Sequence, residues 1–234
     1  MSKPSEATRE QLIHTAIRVV ARDGVNGASV RTLNKESGCR NASVIHYHFG
    51  GKQQLIGAAF QKVVGEVIAV ASPKLMLLEA RMERGESLTP REIMDAAVLP
   101  YITLFMVPNH GPLYTRFVAR VMSDADDVLR ACILEVFLPF ALRCTVLFHY
   151  VLPELPPKIL GLRLLSVVLN LVYAVNDVRI LTESPFGDVE GETPMDTIHR
   201  FVEHLTLGVA APTEAVPPDY ADALAQYIAD WTGV

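Results

Sequence analysis

The stretch Ser29-Val30-Arg31-Thr32-Leu33-Asn34-Lys35-Glu36-Ser37-Gly38-Cys39-Arg40-Asn41-Ala42-Ser43-Val44-Ile45-His46-Tyr47-His48-Phe49-Gly50-Gly51-Lys52 decides how the rest of the chain is read. The Ser29 hydroxyl suits the free amides at a helix start, so a short helix is predicted from Val30 to about Ser37. Gly38 tolerates the positive φ of a sharp reversal, and a second helix is predicted from near Asn41 to about His48, broken by Gly50-Gly51. Val30, Leu33, Val44, Ile45 and Phe49 form the expected inward side. Arg40, Asn41, Ala42, Ser43, His46, Tyr47 and His48 form the outward one. In a helix-turn-helix the second helix enters the major groove of DNA and its first residues meet base edges. Ala42 and Ser43 are small enough for close approach, Asn41 can pair bidentately with adenine, and Arg40 with guanine or phosphate. Ser29, Arg31, Tyr47 and Lys52 complete the expected DNA-facing set on the phosphate side, where contacts fix register without reading sequence.

Working outward, Leu12, Ala16, Val19 and Val20 recur at helical steps, so Thr8 to Arg22 is read as an amphipathic helix closed by Gly24. It supplies the third helix of a small core. A longer helix starts at Lys52, limited or kinked by Pro73. Beyond Pro90, apolar helical segments are expected at 91–107, 112–122, 125–150, 157–182 and 194–210. Ser123 or Asp124 is the expected cap of the 125–150 helix, and Pro139 an expected kink within it. The run Leu164 to Val175 is apolar and β-branched, yet its length and helical flanks favour a buried helix over a strand. Residues 184–194 read as a loop and 212–218, with three prolines, as a linker to a tail helix at about 219–231. The predicted class is all-α: a head at 1–52, a body at 53–211, and a linker with tail at 212–234.

Composition agrees with this division. The 234 residues are 50% hydrophobic and 20% charged, enough for a sizeable core and too little charge for disorder. Cys39, Cys132 and Cys144 are too widely and unevenly spaced for a disulfide framework or a CxxC zinc site. Met1 to Gln11 is polar, so no signal peptide is expected and the chain reads as cytoplasmic. Ala96 to Thr115 carries no charge and is long enough to span a bilayer, but Pro100, Pro108, Gly111 and Pro112 make two helices joined by a turn the better reading. The net charge of −5 hides an asymmetry. Residues 1–52 hold eight Lys/Arg against four Asp/Glu (+4), and the remainder thirteen against twenty-two (−9). A basic head on an acidic body suits a DNA-binding module with a separate body.

The head resembles the N-terminal domain of the TetR family of transcriptional regulators. The resemblance is carried by Ala21-Arg22-Asp23-Gly24, Ala28-Ser29-Val30-Arg31, Ser37-Gly38 and Tyr47-His48-Phe49-Gly50-Gly51-Lys52, ending at Leu55. It covers about a fifth of the chain and is closest to members with Tyr-His-Phe-Gly at the end of the recognition helix. The turn between Gly38 and Tyr47 is one residue longer than the common pattern, and Thr32-Leu33-Asn34 stands where an acidic residue and isoleucine are usual. The resemblance implies a homodimer on a near-palindromic double-stranded DNA operator, with a small-molecule effector bound in the helical body. It places a four-helix dimer interface on 157–182 and 194–210, with Leu164, Val168, Leu171, Val172, Val175 and Leu205 as candidate contacts.

Candidate walls of an effector pocket are Tyr101, Phe105, Met106, His110, Tyr114, Phe117, Phe137, Phe140, Cys144, Phe148, Tyr173 and Asn176, an apolar set with a few polar groups. Arg120, Arg143 and Arg179 lie in apolar runs and, if buried, need a partner such as Asp177 or a ligand carboxylate. The effector expected is therefore apolar or aromatic, with an anionic group as an open option. His46 and His48, two apart on a helix, and His199 and His204, five apart, are poorly spaced for a metal, and no cofactor is implied. No nucleophile–His–acid order or glycine-rich phosphate loop points to an enzyme. The expected function is a ligand-responsive repressor. The alternative is a protein-interaction module whose helix-turn-helix no longer binds DNA specifically.

Overall fold

The computed structural model describes residues 6–39, 43–174 and 193–232, together with 185, 187 and 191. The described residues contain helices and no strand, in the order α1 (Glu6–Gly27), α2 (Val30–Glu36), α3 (Val44–Phe49), α4 (Lys52–Glu83), α5 (Pro90–Phe105), α6 (Gly111–Asp124), α7 (Asp127–Val151), α8 (Pro157–Ala174), α9 (Pro194–Ala210) and α10 (Tyr220–Thr232). The all-α reading holds, with the fold of a helix-turn-helix head on a helical body.

Local sequence explains most boundaries. Ser29 accepts the Thr32 amide and starts α2. Thr89 and Glu92 form a reciprocal capping box at α5, and Thr193 and Asp196 do the same at α9. Gly24, Gly38 and Gly50 take φ values of 76°, 70° and 85°, the left-handed conformation at each break in the head. At Gly24 the helix is interrupted and then resumes for a last turn to Gly27, five residues beyond the predicted end. The uncharged 96–115 stretch does split into two helices, α5 and α6, joined over Met106–His110.

Three expectations are corrected. Pro73 does not end its helix: α4 runs on through it to Glu83, and Pro139 lies inside α7, both prolines being solvent-exposed. The α7 cap is Asp126, whose carboxylate accepts the Leu129 amide at 2.9 Å, and Asp124 belongs instead to the end of α6. Val30 was expected in the head core but is 41% exposed; Leu33 and Ile45 fill it, with Val44 and Phe49 half-buried.

The core runs continuously from head to body. The inner side of α1 (Leu12, Ala16, Ile17, Val20) is fully enclosed, packed chiefly against α6 and then α4. α4 carries this core onward through Leu55, Phe60 and Val63 to Leu75, where it meets α5 and α7. By length and composition, α4, α7 and α8 could each cross a membrane. In the folded subunit α4 encloses much of its apolar surface. α7 and α8 leave most of theirs uncovered, including Leu134, Leu138 and Leu142 on α7 and Leu162, Leu165 and Leu169 on α8.

Candidate functional site

The head presents one outward face. Arg31, Ser43, His46 and Tyr47 are exposed on it, Tyr47 to 61%, while Leu33 and Ile45 seal the side beneath. His48 is half-buried, with its ring between those of Tyr47 (5.6 Å, edge-on) and Phe49 (6.2 Å). The Arg9 guanidinium stands 5.2 Å over the Phe49 ring and ties α1 to the end of α3. Arg40, Asn41 and Ala42, expected to meet bases, lie outside the described residues. Part of the head's positive charge is neutralised locally. Arg22 pairs with both Asp23 and Glu36 at 2.7 Å, and the guanidinium holds the Asp23 carboxyl below its ordinary range. Arg31 makes no ion pair among the described residues.

An open cleft of about 510 Å³ lies between the starts of α2 and α4, lined by Asn26, Ser29, Val30, His46, Gly51 and Lys52 among others. α4 starts at Lys52 with Gly51 in the cap position, and no side chain caps its first amides. Two helix N-termini and a lysine around one cleft suit a phosphate.

Lys52 has a second task that its sequence position does not reveal. Its Nζ donates to the Val25 carbonyl at 3.0 Å. The amide of the same Val25 donates to Asp124 Oδ2, also at 3.0 Å. Val25 lies just past the break at Gly24, where its backbone groups leave the regular helical ladder. Both are satisfied by side chains from elsewhere, one from the end of α6 and one from the start of α4. Alongside, Gln53 Nε2 donates to Asp126 Oδ2 at 3.2 Å. Asp126 is held below the usual carboxylate range by the Leu129 amide first, and by Gln53 in addition. The join between head and body is therefore a polar clasp around Val25 laid over the α1–α6 apolar contact. Sequence reasoning missed Asp124 and Val25 because nothing in local spacing relates residues 99 positions apart.

The candidate pocket residues divide. Tyr101, Tyr114, Phe117, Phe140, Cys144 and Phe148 are buried where α5, α6 and α7 enclose the body core, and Phe105 is half-buried. Others stand elsewhere. His110 is exposed at the start of α6, its ring 5.9 Å from that of Tyr114. Arg120 is exposed on the outer side of α6. Tyr173 is exposed, with its hydroxyl 3.0 Å from Ser123 Oγ. Arg143 is not waiting for a ligand: it forms a two-bond pair with Glu79 at 2.6 and 2.8 Å and also reaches Ser72. The anionic option on the effector loses the support of Arg120, which faces water, and of Arg143, which is paired. Asn176, Arg179 and Asp177 lie outside the described residues. Within the core, Tyr101 is 6% exposed and its hydroxyl has no hydrogen-bond partner among the described residues. Burial pushes its pKa well above the ordinary tyrosine range, so it is a neutral donor.

The interface candidates divide as well. Leu171, Val172 and Leu205 are buried within the subunit, and Leu164 and Val168 are half-buried. Val175 lies outside the described residues. The uncovered side of α8 carries Leu162, Leu165, Leu169 and Tyr173, and that of α9 carries Met195 and Leu207. A helix apolar on every side does not show by periodicity which side its own subunit takes.

Residues 95–208 match the family model described as Tetracyclin repressor-like, C-terminal domain. A stretch of 60 residues, 26% of this chain, is 42% identical to the HTH-type nicotine-responsive transcriptional repressor HdnoR of Paenarthrobacter nicotinovorans, covering 30% of that protein. Another of 78 residues, 32% of this chain, is 31% identical to the HTH-type transcriptional regulator BetI of Vibrio vulnificus, covering 39% of it. The matched stretches thus span less than two fifths of these curated relatives. Among solved structures, the fatty acid degradation regulator FadR from Bacillus halodurans superposes with a TM-score of 0.57 at 17% identity, over 91% of this chain and 100% of that one. A transcriptional regulator from Pseudomonas aeruginosa superposes with a TM-score of 0.53 at 15% identity, over 94% and 95%. At these identities the superpositions establish a shared fold.

Proposed function

We propose that this chain, a tetracyclin-repressor-like body behind a helix-turn-helix head, is a cytoplasmic, homodimeric, ligand-responsive transcriptional repressor. The carrying observation is the clasp at Val25, which ties the DNA-facing head to the ends of α4 and α6 in the body. A vestigial head on an interaction module has no need of a polar join between this cleft and the core behind it.

In this reading α3 and the residues before it enter the major groove. Arg31, Tyr47, Ser43 and the cleft at Lys52 grip the flanking phosphates. Arg40, Asn41 and Ala42 are proposed for base contacts on their place in the sequence. Two heads must sit about 34–36 Å apart to reach successive major grooves, which makes the operator near-palindromic. The uncovered α8–α9 face is the proposed dimer surface, with Leu162, Leu165, Leu169 and Leu207 beside the half-buried Leu164 and Val168.

The effector is proposed to be an apolar or aromatic molecule with a hydrogen-bond acceptor. It enters among Phe117, Cys144 and Phe148 and accepts from the Tyr101 hydroxyl, a buried donor otherwise left unsatisfied. Its arrival displaces α6, and Asp124 carries that movement to Val25 and the head. By linkage DNA must weaken effector binding by the same factor, and a hundredfold response needs about 2.7 kcal/mol of differential affinity.

The test is binding of the purified protein to a pool of genomic fragments, followed by a salt titration on the best fragment. Tight, salt-dependent binding to a near-palindromic site supports the regulator. Weak, sequence-independent binding, unchanged after unfolding and refolding to strip any bound effector, supports the interaction module.

A further inference from the structure

We propose that the bare side of α7 is a second interface between copies of this chain. In it α7 packs antiparallel on α7 of another subunit, with Leu142 at the two-fold axis, and two dimers become a tetramer. It goes beyond the dimer reading above and uses none of the α8–α9 face. α7 encloses only its inner side, where Leu129, Phe140, Cys144, Leu147 and Phe148 are buried. On the other side Leu134, Leu138, Leu142 and Val146 are all exposed, Leu142 to 55%. Among the described residues nothing covers them. Large aliphatic side chains at successive four-residue steps form a continuous stripe, the mark of a helix face that meets another protein surface.

Spacing and charge choose a second copy as the occupant. Glu135, Leu138, Leu142, Val146 and His149 lie on one side of α7 at steps of three, four, four and three. Glu135 and His149 are exposed, and each stands seven residues from Leu142. The order reads the same from either end about Leu142, with aliphatic answering aliphatic and an acid answering a histidine. An antiparallel copy therefore sets Leu142 against itself, Leu138 beside Val146, and the Glu135 carboxylate where it accepts from the His149 ring. A parallel copy would set Glu135 against Glu135. Alternating three- and four-residue steps are those that let two helices share a seam at about 20°. A surface that complements itself is what a two-fold contact requires.

The stripe is presented on a fixed helix. Arg143, next to Leu142, is tied to Glu79 and Ser72 of α4, and the Tyr150 hydroxyl donates to the Glu86 carbonyl at 3.1 Å near the end of α7. Little ordering is then left to lose on pairing. The seam is about 21 Å long and one helix wide, small against the roughly 800 Å² per partner of a standard interface. It therefore joins dimers weakly and dissociates on dilution.

The experiment is sedimentation equilibrium on the full-length chain over a wide concentration range. The unmodified chain is expected to pass from dimer to tetramer, and one that stops at the dimer overturns the seam. Full-length His149→Glu opposes two carboxylates and should raise the dimer–tetramer dissociation constant by about tenfold or more. Glu135→Lys/His149→Glu restores opposite charges across the seam and should return the constant toward its unmodified value. The paired variant carries the same change in the last turn of α7, so a local loss of stability does not account for the rescue. An unchanged constant in the single variant, or a loss without rescue, overturns the antiparallel register. In chains whose Cys39 and Cys132 are replaced by serine, Leu142→Cys should cross-link two copies under mild oxidation. Leu134→Cys, about 24 Å from its counterpart across the seam, should not. Equal cross-linking of both, or of neither, overturns the axis at Leu142. The two interfaces fail separately: if the chain reaches only a dimer and His149→Glu dissolves it, the α8–α9 dimer fails and the α7 seam stands.

Discussion

Replacing Asp124 by alanine should release the head from the body at one amide. The Asp124 carboxylate accepts the Val25 N–H at 3.0 Å, and Val25 is 2% exposed. Removing the acceptor leaves a donor that water reaches poorly, a cost of about 1–3 kcal/mol. Asp124→Asn keeps an uncharged acceptor, and since charge-assisted bonds are roughly twice as strong as neutral ones, it should retain about half the interaction. The assay is native-state hydrogen exchange followed by NMR. At about 1.4 kcal/mol per tenfold, the Val25 amide should lose roughly ten- to a hundredfold protection in Asp124→Ala, and less in Asp124→Asn. Amides in the first turn of α7 should be unaffected. The opposite pattern is expected for Asp126→Ala, where the Leu129 amide loses its cap at a cost of about 1 kcal/mol. If Asp124→Ala left Val25 protection intact and exposed the start of α7, Asp124 would be the helix cap its sequence position suggests and the clasp reasoning would fail. In DNA-binding titrations the same variant should shrink the effector's influence on operator affinity, because one route from α6 to the head is cut.

Gly24→Ala should lower stability, read as a shifted denaturation midpoint, by about 1–3 kcal/mol from the positive φ alone, with more from a Cβ only 2.8 Å from Asp124 Oδ2. Arg31→Ala should weaken binding uniformly across DNA sequences and reduce the salt slope by about one, with stability unchanged, as measured by fluorescence anisotropy at several salt concentrations. Lys52→Ala should do the same and also lower stability, since the Val25 carbonyl loses its donor. Burial pushes the Cys144 thiol up to about 12 from 9.0, so the folded state resists its ionisation and the unfolded state does not. The stability this contributes is complete below pH 9 and lost as pH rises from there toward 12. Urea midpoints should fall across that range, and Cys144→Ala should fall less steeply.

Much of the head was legible because its signals are local. A serine that accepts its own helix's third amide, glycines where φ must be positive, and apolar residues at helical steps all act within a few positions. Prolines do not by themselves mark helix ends, and α4 runs on through Pro73. Their cost depends on whether the lost amide bond faces water, and that is a property of packing. The cap of α7 fell to Asp126 and not to Asp124 for a similar reason. Both have the chemistry of a cap, and which one caps is settled by where the end of α6 places the other. In the body, Arg143 read as a candidate ligand group until Glu79 proved to lie against it, 64 residues away in sequence. Leu171 and Leu162 were equivalent as letters, yet one is inside and the other bare.

The sequence by itself determined an all-helical chain with a helix-turn-helix head, because helix periodicity, capping and turn chemistry are short-range and written residue by residue. Tertiary structure decided which apolar face is left for a partner, which arginine is already paired, and how head and body are joined. Those outcomes depend on residues dozens of positions apart meeting in one place. A buried amide, carbonyl or guanidinium is satisfied by whatever group the fold brings to it, and no local spacing encodes that group.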